Sequence, residues 1–123
     1  MALNSLKGKV ALITGGSKGI GRATSIALAK ASASVVINYS SDSLSANAVI
    51  KEIGSKNTLA IKVDAGSIEG AKHIVKATID HFGKLDVLIP NAGVLALKDL
   101  ASTTKEDFDT SYRLNVKGPY FLI

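Results

Sequence analysis

Four glycines fall within the eight residues Thr14-Gly-Gly-Ser-Lys-Gly-Ile-Gly21, directly behind the apolar run Val10-Ala-Leu-Ile13. Glycine weakens helix and strand alike, so such a cluster calls for a reason beyond turning the chain. Gly15, Gly19 and Gly21 stand where a buried strand hands over to a helix. A helix N-terminus offers unpaired N–H groups and a partial positive charge, and glycine lets backbone approach an anion without an intervening Cβ. Gly19 is therefore expected to keep both the phosphate approach and the helix–strand junction clear. The spacing differs from a GxxxxGKS/T phosphate loop, because Lys18 precedes its glycine and Ile20 follows it. The chemistry indicated is a seat for the phosphates of a dinucleotide.

Other chemistries are excluded or disfavoured. The 123 residues contain no cysteine, so disulfides, thiol catalysis and Cys-ligated metals are absent. His73 and His81 lie eight apart in a helical pattern with no carboxylate at metal spacing, and no metal site is expected. The net charge of +5 comes from scattered lysines, without a basic run interleaved with aromatics. An anionic small ligand fits that charge, and nucleic acid is not expected. No stretch approaches the roughly 18 apolar residues of a membrane span, and residues 1–9 lack the apolar run of a signal peptide. These features predict a cytoplasmic chain with no membrane partner. Its length suits a single domain that buries about two thirds of its unfolded surface.

Stepping from motif to scaffold, two periodicities alternate along the chain. Lys9 to Thr14, Ser34 to Tyr39, Thr58 to Val63 and Leu85 to Pro90 read as strands, the first short and apolar enough to be buried on both faces. Between them run helical patterns. Ile20, Ala23, Thr24, Ala27, Leu28 and Ala31 form a stripe of small residues, and Ala46, Val49, Ile50 and Ile53 mark a helix ending at Gly54. Ser67 is placed to cap a third helix whose face is Ala71, Ile74, Val75, Thr78, Ile79 and Phe82, with Gly83 ending it. Thr103 and Glu106 have the spacing of a capping box before a last helix. Strand and helix in alternation predict an α/β fold with a Rossmann-type parallel sheet, strand order 3-2-1-4 and helices on both faces. A ligand of such a sheet binds beyond the strands' C-terminal ends at the switch point. The loops beginning near Thr14, Asn38, Asp64 and Asn91 all project to that edge.

With these elements in place, the sequence resembles the short-chain dehydrogenase/reductase family. The family's TGxxxGxG signature is matched by residues 14–21, its NAG signature by Asn91-Ala92-Gly93, its Asp after the third strand by Asp64, and its N-x-x-G pattern by Asn115-Val-Lys-Gly118. The resemblance runs over the whole chain. It implies an oxidoreductase that moves hydride between a nicotinamide cofactor and a small-molecule ketone or secondary alcohol. The implied cofactor-binding residues are Gly15, Ser17, Lys18, Gly19, Ile20 and Gly21 in the glycine loop. Asp64 would accept from the adenine amino group beside the backbone of Ala65, and Asn91, Ala92 and Gly93 would line the adenosine ribose. Relatives that bind NAD end the second strand with an acid. Here that strand ends Asn38-Tyr39-Ser40-Ser41, with no carboxylate until Asp42, and Lys18 stands where NADP-binding relatives often carry a basic residue. NADP(H) is the expected cofactor. Asn38, Ser40 and Ser41 would donate to its 2′-phosphate, and Lys18 would supply charge.

Asn115 resembles the family's catalytic asparagine. Phe108, Ser111, Tyr112 and Asn115 share one helical face, which predicts that Asn115 points inward. Pro119 has no N–H, so the Asn115 carbonyl four residues back loses its helical donor. In the family that carbonyl holds a water on a proton-relay path. The sequence departs from the family in lacking a serine after a fifth strand and a Tyr-x-x-x-Lys: Tyr39 is followed at the fourth position by Ser43, and Tyr112 by Val116. Residues 1–123 are accordingly read as the NADP-binding half of a longer fold, inactive alone and expected to form a homo-oligomer in full length. The alternative reading is a non-catalytic dinucleotide-binding module or a truncated pseudo-enzyme.

Overall fold

The computed structural model describes residues 5–95 and 97–123. Four strands form one sheet in the order β3-β2-β1-β4, with β1 at Val10–Ile13, β2 at Ser34–Tyr39, β3 at Thr58–Lys62 and β4 at Val87–Ile89. Every neighbouring pair is parallel: Leu12 stands opposite Val36 on one side and Leu88 on the other, and Ile37 stands opposite Ala60. The predicted order and class hold.

Alternation along β1 divides the core between the two faces. Val10 and Leu12 pack with Val36, Ile61, Ala65 and Ile74, the last from α3 (Ile68–Phe82). Ala11 and Ile13 pack with Val35, Ile37 and Val49, joined by Leu28 from α1 (Gly19–Lys30) and Ile50 from α2 (Ser43–Ile53). Both faces are thus covered by helices, as buried parallel strands require. Ser67 caps α3 by accepting from Gly70 N–H at 2.8 Å, and Gly83 ends it in the left-handed conformation at φ 80°. Gly54 ends α2.

Three local expectations are corrected. In α1 the buried positions are Gly21 and Ser25, while Ile20 is 80% exposed and Ala23 and Ala27 face outward. A helix of alanines gives no strong phase, and one isoleucine shifted the reading. The capping box before α4 (Lys105–Tyr112) is formed one residue later than Thr103 and Glu106. Thr104 accepts from Asp107 N–H at 3.1 Å, and Thr104 N–H donates to the Asp107 carboxylate at 2.9 Å. Thr103 instead donates its hydroxyl to the Asp99 carbonyl. Past α4 the helix widens into a π turn over Arg113–Lys117, closed by Gly118 N–H donating to the Arg113 carbonyl, before α5 at Gly118–Leu122. The apolar spacing carries no mark of that extra residue.

Candidate functional site

A cavity of about 560 Å³ opens at the C-terminal ends of the strands and draws on all four loops. The glycine loop contributes Gly15, Ser17 and Lys18; the end of β2 contributes Asn38 and Tyr39, and the segment after it Ser40, Ser41 and Asp42. Asp64 and Ala65 follow from β3, and Asn91, Ala92 and Gly93 from β4. Thr110, Arg113 and Leu114 close it from the last helix. The β1–β4 junction, where the strand order reverses, is the point at which open α/β sheets bind ligands.

The three glycines of the loop act in different ways. Gly15 has φ +62°, and a Cβ there would come within 3.0 Å of the Ala92 Cα. At Gly21 a Cβ would run into the Gly15 carbonyl oxygen and stand 2.6 Å from Asn91 Nδ2. Gly19 has φ +54° with open space around it. The crowded helix–strand junction is therefore at Gly21, which corrects that part of the expectation for Gly19; glycine at 19 suits the left-handed backbone there. Gly19, Ile20 and Gly21 do not line the cavity; Gly21 supports its floor beneath Gly15 and Asn91. The N-terminus of α1 carries no side-chain cap, whereas Asp42, Ser67 and Thr104 cap the helices that follow. The first N–H groups of α1 are thus not taken up by a capping side chain.

Thr14 and Asn91 lock the glycine loop to β4. The buried Thr14 hydroxyl accepts from Asn91 N–H and Ala92 N–H, both at 3.0 Å, and Asn91 Nδ2 donates to the Thr14 and Gly15 carbonyls, both at 3.1 Å. Beneath the loop the Ser25 hydroxyl donates to the Gly21 carbonyl at 2.8 Å. Asn38 differs from its expected role as a phosphate donor. Its side chain is buried and its Nδ2 donates to the Ile61 and Val63 carbonyls at 3.3 and 3.0 Å, so the amide ties β2 to the end of β3. Ser40 and Ser41 stay exposed on the rim.

Two ion pairs flank the cavity. Lys18 Nζ reaches Asp42 Oδ2 at 3.0 Å. Asp42 also accepts from Ser45 N–H at 3.0 Å and the Ser45 hydroxyl at 2.7 Å. The Ser45 N–H first, then its hydroxyl and Lys18, hold the Asp42 carboxyl far below the usual range. On the other side Arg113 binds Asp64 Oδ2, while Gly66 N–H donates to Oδ1 at 2.8 Å. The Arg113 hydrogen bond holds Asp64 below its ordinary 3.8; partial burial opposes this and the Gly66 N–H adds to it.

Asn115 lies in the π turn and does not point into a buried core. It is exposed, as are Phe108 and Tyr112 on the same face, whose rings stack at 6.1 Å. The inward-facing expectation fails because no described element packs on that face. The Asn115 amide instead grips the backbone of Val94, accepting from its N–H at 2.9 Å and donating to its carbonyl at 2.8 Å. Gly93 is needed beside it, since a Cβ there would stand 2.7 Å from Asn115 Oδ1.

The short chain dehydrogenase family profile matches residues 9–123. The chain belongs to the short-chain dehydrogenase family. It is 40% identical over 119 residues to versicolorin reductase 1 of Dothistroma septosporum, covering 95% of this chain and 45% of that protein. Among solved structures it superposes on a short-chain dehydrogenase from Burkholderia cenocepacia in complex with NADP (TM-score 0.93, 35% identity, 97% of this chain and 49% of the other). It also matches a 3-ketoacyl-(acyl-carrier-protein) reductase from Brucella melitensis complexed with NADH (TM-score 0.88, 37% identity, 96% and 48%). The chain thus spans about half the length of the relatives it matches.

Within this short-chain dehydrogenase chain, sequence reasoning assigned no task to three residues the geometry brings forward. Thr14 was legible only as the first letter of a motif, although a hydroxyl at the end of a buried strand needs a partner. Ser25 was hidden by the misplaced phase of α1. Arg113 gave no signal, because its reach to Asp64 spans 49 positions and depends on the π turn. No group of three His, Cys, Asp or Glu side chains is arranged to hold a metal among the described residues. No helix among them is long and apolar enough to cross a membrane.

Proposed function

We propose that this chain is the cofactor-binding part of an NADP(H)-dependent oxidoreductase that reduces a small-molecule ketone or oxidises a secondary alcohol. One observation carries the reading: an uncapped helix N-terminus and a loop of crowded or left-handed glycines meet at the edge of a cavity fed by all four parallel strands. The residues fit a dinucleotide. Gly15 and Ser17 line the entry to α1, where N–H groups would face the pyrophosphate. Asp64 keeps acceptor capacity beyond Arg113 and Gly66, because a carboxylate offers about four lone-pair sites, and would take the adenine amino group beside Ala65. Asn91, Ala92 and Gly93 would border the ribose, held in place by Thr14.

When bound, the nicotinamide supplies the hydride donor or acceptor. The chain's own contribution at that end is Asn115, which fixes the Val94 backbone through its side chain. Its main-chain carbonyl cannot receive an N–H from Pro119 and would be the acceptor that orders a water for proton transfer. Lys18, 65% exposed at its side chain, with Ser40 and Ser41 beside it on the rim, favours a 2′-phosphate over a bare ribose hydroxyl. Association into homo-oligomers in the full-length form is supported by the exposed apolar side chains Leu97, Leu100 and Phe108.

Calorimetric titration with NADPH and NADH tests the reading. Tighter binding of NADPH is expected, weakened in Lys18→Ala by about 1 kcal/mol or somewhat more while NADH is unaffected. Equal affinity or a preference for NADH would overturn the NADP(H) assignment, and binding of neither would overturn the dinucleotide reading.

A further inference from the structure

Asp42 is the first acid after β2 and stands on the same cavity rim as Lys18. Both its oxygens are tied to Ser45 at the N-terminus of α2, so its position is fixed to the backbone. Lys18 is the movable member of the pair, a mostly exposed ammonium on a flexible stem. Ser40 and Ser41 line the rim beside them. A doubly charged phosphate arriving there meets a lysine already paired and a carboxylate that cannot retreat without uncapping a helix.

We propose that Asp42 is a specificity-determining residue that competes with the cofactor's 2′-phosphate for Lys18. This rests on the NADP(H) reading above and refines it. Two anions share one ammonium when the 2′-phosphate is present, whereas a ribose hydroxyl leaves the Lys18–Asp42 pair undisturbed. Asp42 therefore narrows the margin by which a 2′-phosphorylated nucleotide is preferred. Neutralising it releases Lys18 fully to the phosphate. Asparagine caps helices as well as aspartate does, so Asp42→Asn removes the charge and retains the cap.

The probes are adenosine 2′,5′-bisphosphate and 5′-AMP, which differ only in the 2′-phosphate, titrated by calorimetry into the wild-type chain, Asp42→Asn, Asp42→Ser and the double variant Asp42→Asn/Lys18→Ala. Asp42→Asn is expected to bind the bisphosphate about three- to tenfold more tightly, with 5′-AMP within about twofold. Asp42→Ser, also a capping residue, should reproduce the gain, and the double variant should lose it. The gain should shrink as salt rises. An unchanged or weaker bisphosphate affinity in both folded single variants overturns the proposal, as does a gain that survives removal of Lys18. Weaker 5′-AMP binding in Asp42→Asn overturns it differently, making the acid a ribose-hydroxyl ligand. Failure of the underlying reading is seen separately: a wild-type chain that binds 5′-AMP more tightly than the bisphosphate refutes NADP(H) selection itself. Binding of neither nucleotide by any variant overturns both.

Discussion

Gly21→Ala isolates the contact on which the cavity floor depends. The new Cβ would lie 2.6 Å from Asn91 Nδ2 and 2.9 Å from the Gly15 carbonyl carbon, and would meet the Gly15 oxygen directly. Ordinary carbon contacts begin near 3.5 Å, so α1 must move away from the loop by about 1 Å. Overpacking of this kind costs roughly 1–3 kcal/mol. The two hydrogen bonds that Asn91 makes to the Thr14 and Gly15 carbonyls are strained in addition, at about 1 kcal/mol each. Alanine returns about 1 kcal/mol of helix propensity. The net loss expected is about 2–4 kcal/mol, and for a chain of this length the melting temperature should fall by roughly 8–16 °C. Gly19→Ala is the control. It meets nothing within 4 Å and carries only the left-handed penalty of φ +54°, about 1–2 kcal/mol. Urea and thermal unfolding followed by circular dichroism compare the two. A Gly21→Ala chain as stable as wild type, or more stable than Gly19→Ala, would refute the packing argument.

Three further outcomes follow from the same contacts. Thr14→Val keeps the shape but strips the acceptor from Asn91 N–H and Ala92 N–H; a loss of about 2 kcal/mol is expected, with Thr14→Ser near wild type in the same denaturation assay. Asp64→Asn should cost under about 1 kcal/mol at neutral pH, since the pair with Arg113 is about half exposed. Because the folded carboxyl titrates below its ordinary 3.8, its contribution is complete above that value and fades as pH falls through the lowered one. Urea midpoints of variant and wild type should therefore converge on acidification; a constant gap would count against the ion pair. Residues 1–123 should show no turnover of NADPH across a panel of ketones, since no tyrosine here has a lysine four residues on and a positioned acid–base group is worth about 10²–10⁴ in rate. Clear turnover would refute that assignment.

The strands, their order and the loops that converge on the cavity were legible because apolar runs, glycine stops and capping serines are local signals. Ser67 starts α3, and Gly54 and Gly83 end α2 and α3, where the sequence placed them. What escaped notice depends on distance or on fine geometry. Alanine-rich α1 concealed its phase, and Asn38, polar in type, turned out to be buried because the carbonyls of Ile61 in β3 and Val63 just past it accept from it. The shift of the capping box to Thr104 and Asp107 reflects two hydroxyls and two acids in succession, any of which satisfies the pattern. Arg113 and Asp64 meet through tertiary structure alone.

The π turn gives this helix an unequal tolerance to insertion and deletion. Residues 113–117 hold one residue more than an α-helix would need to cover the same height. Removing one residue from this turn would let the hydrogen-bond ladder close as a regular α-helix and leave the later side chains close to their present directions, because the turn already holds one residue in excess. Gly118 now sits in a notch where a Cβ would strike the Ala65 carbonyl and lie 3.0 Å from the Gly66 Cα. A second inserted residue would find no such slack and would carry Lys117 into that notch. The helix therefore tolerates the loss of a residue here better than the gain of one. The loosened turn spans the three places where this helix is tied down, Arg113 on Asp64, Asn115 on Val94 and Gly118 against the backbone of Ala65 and Gly66.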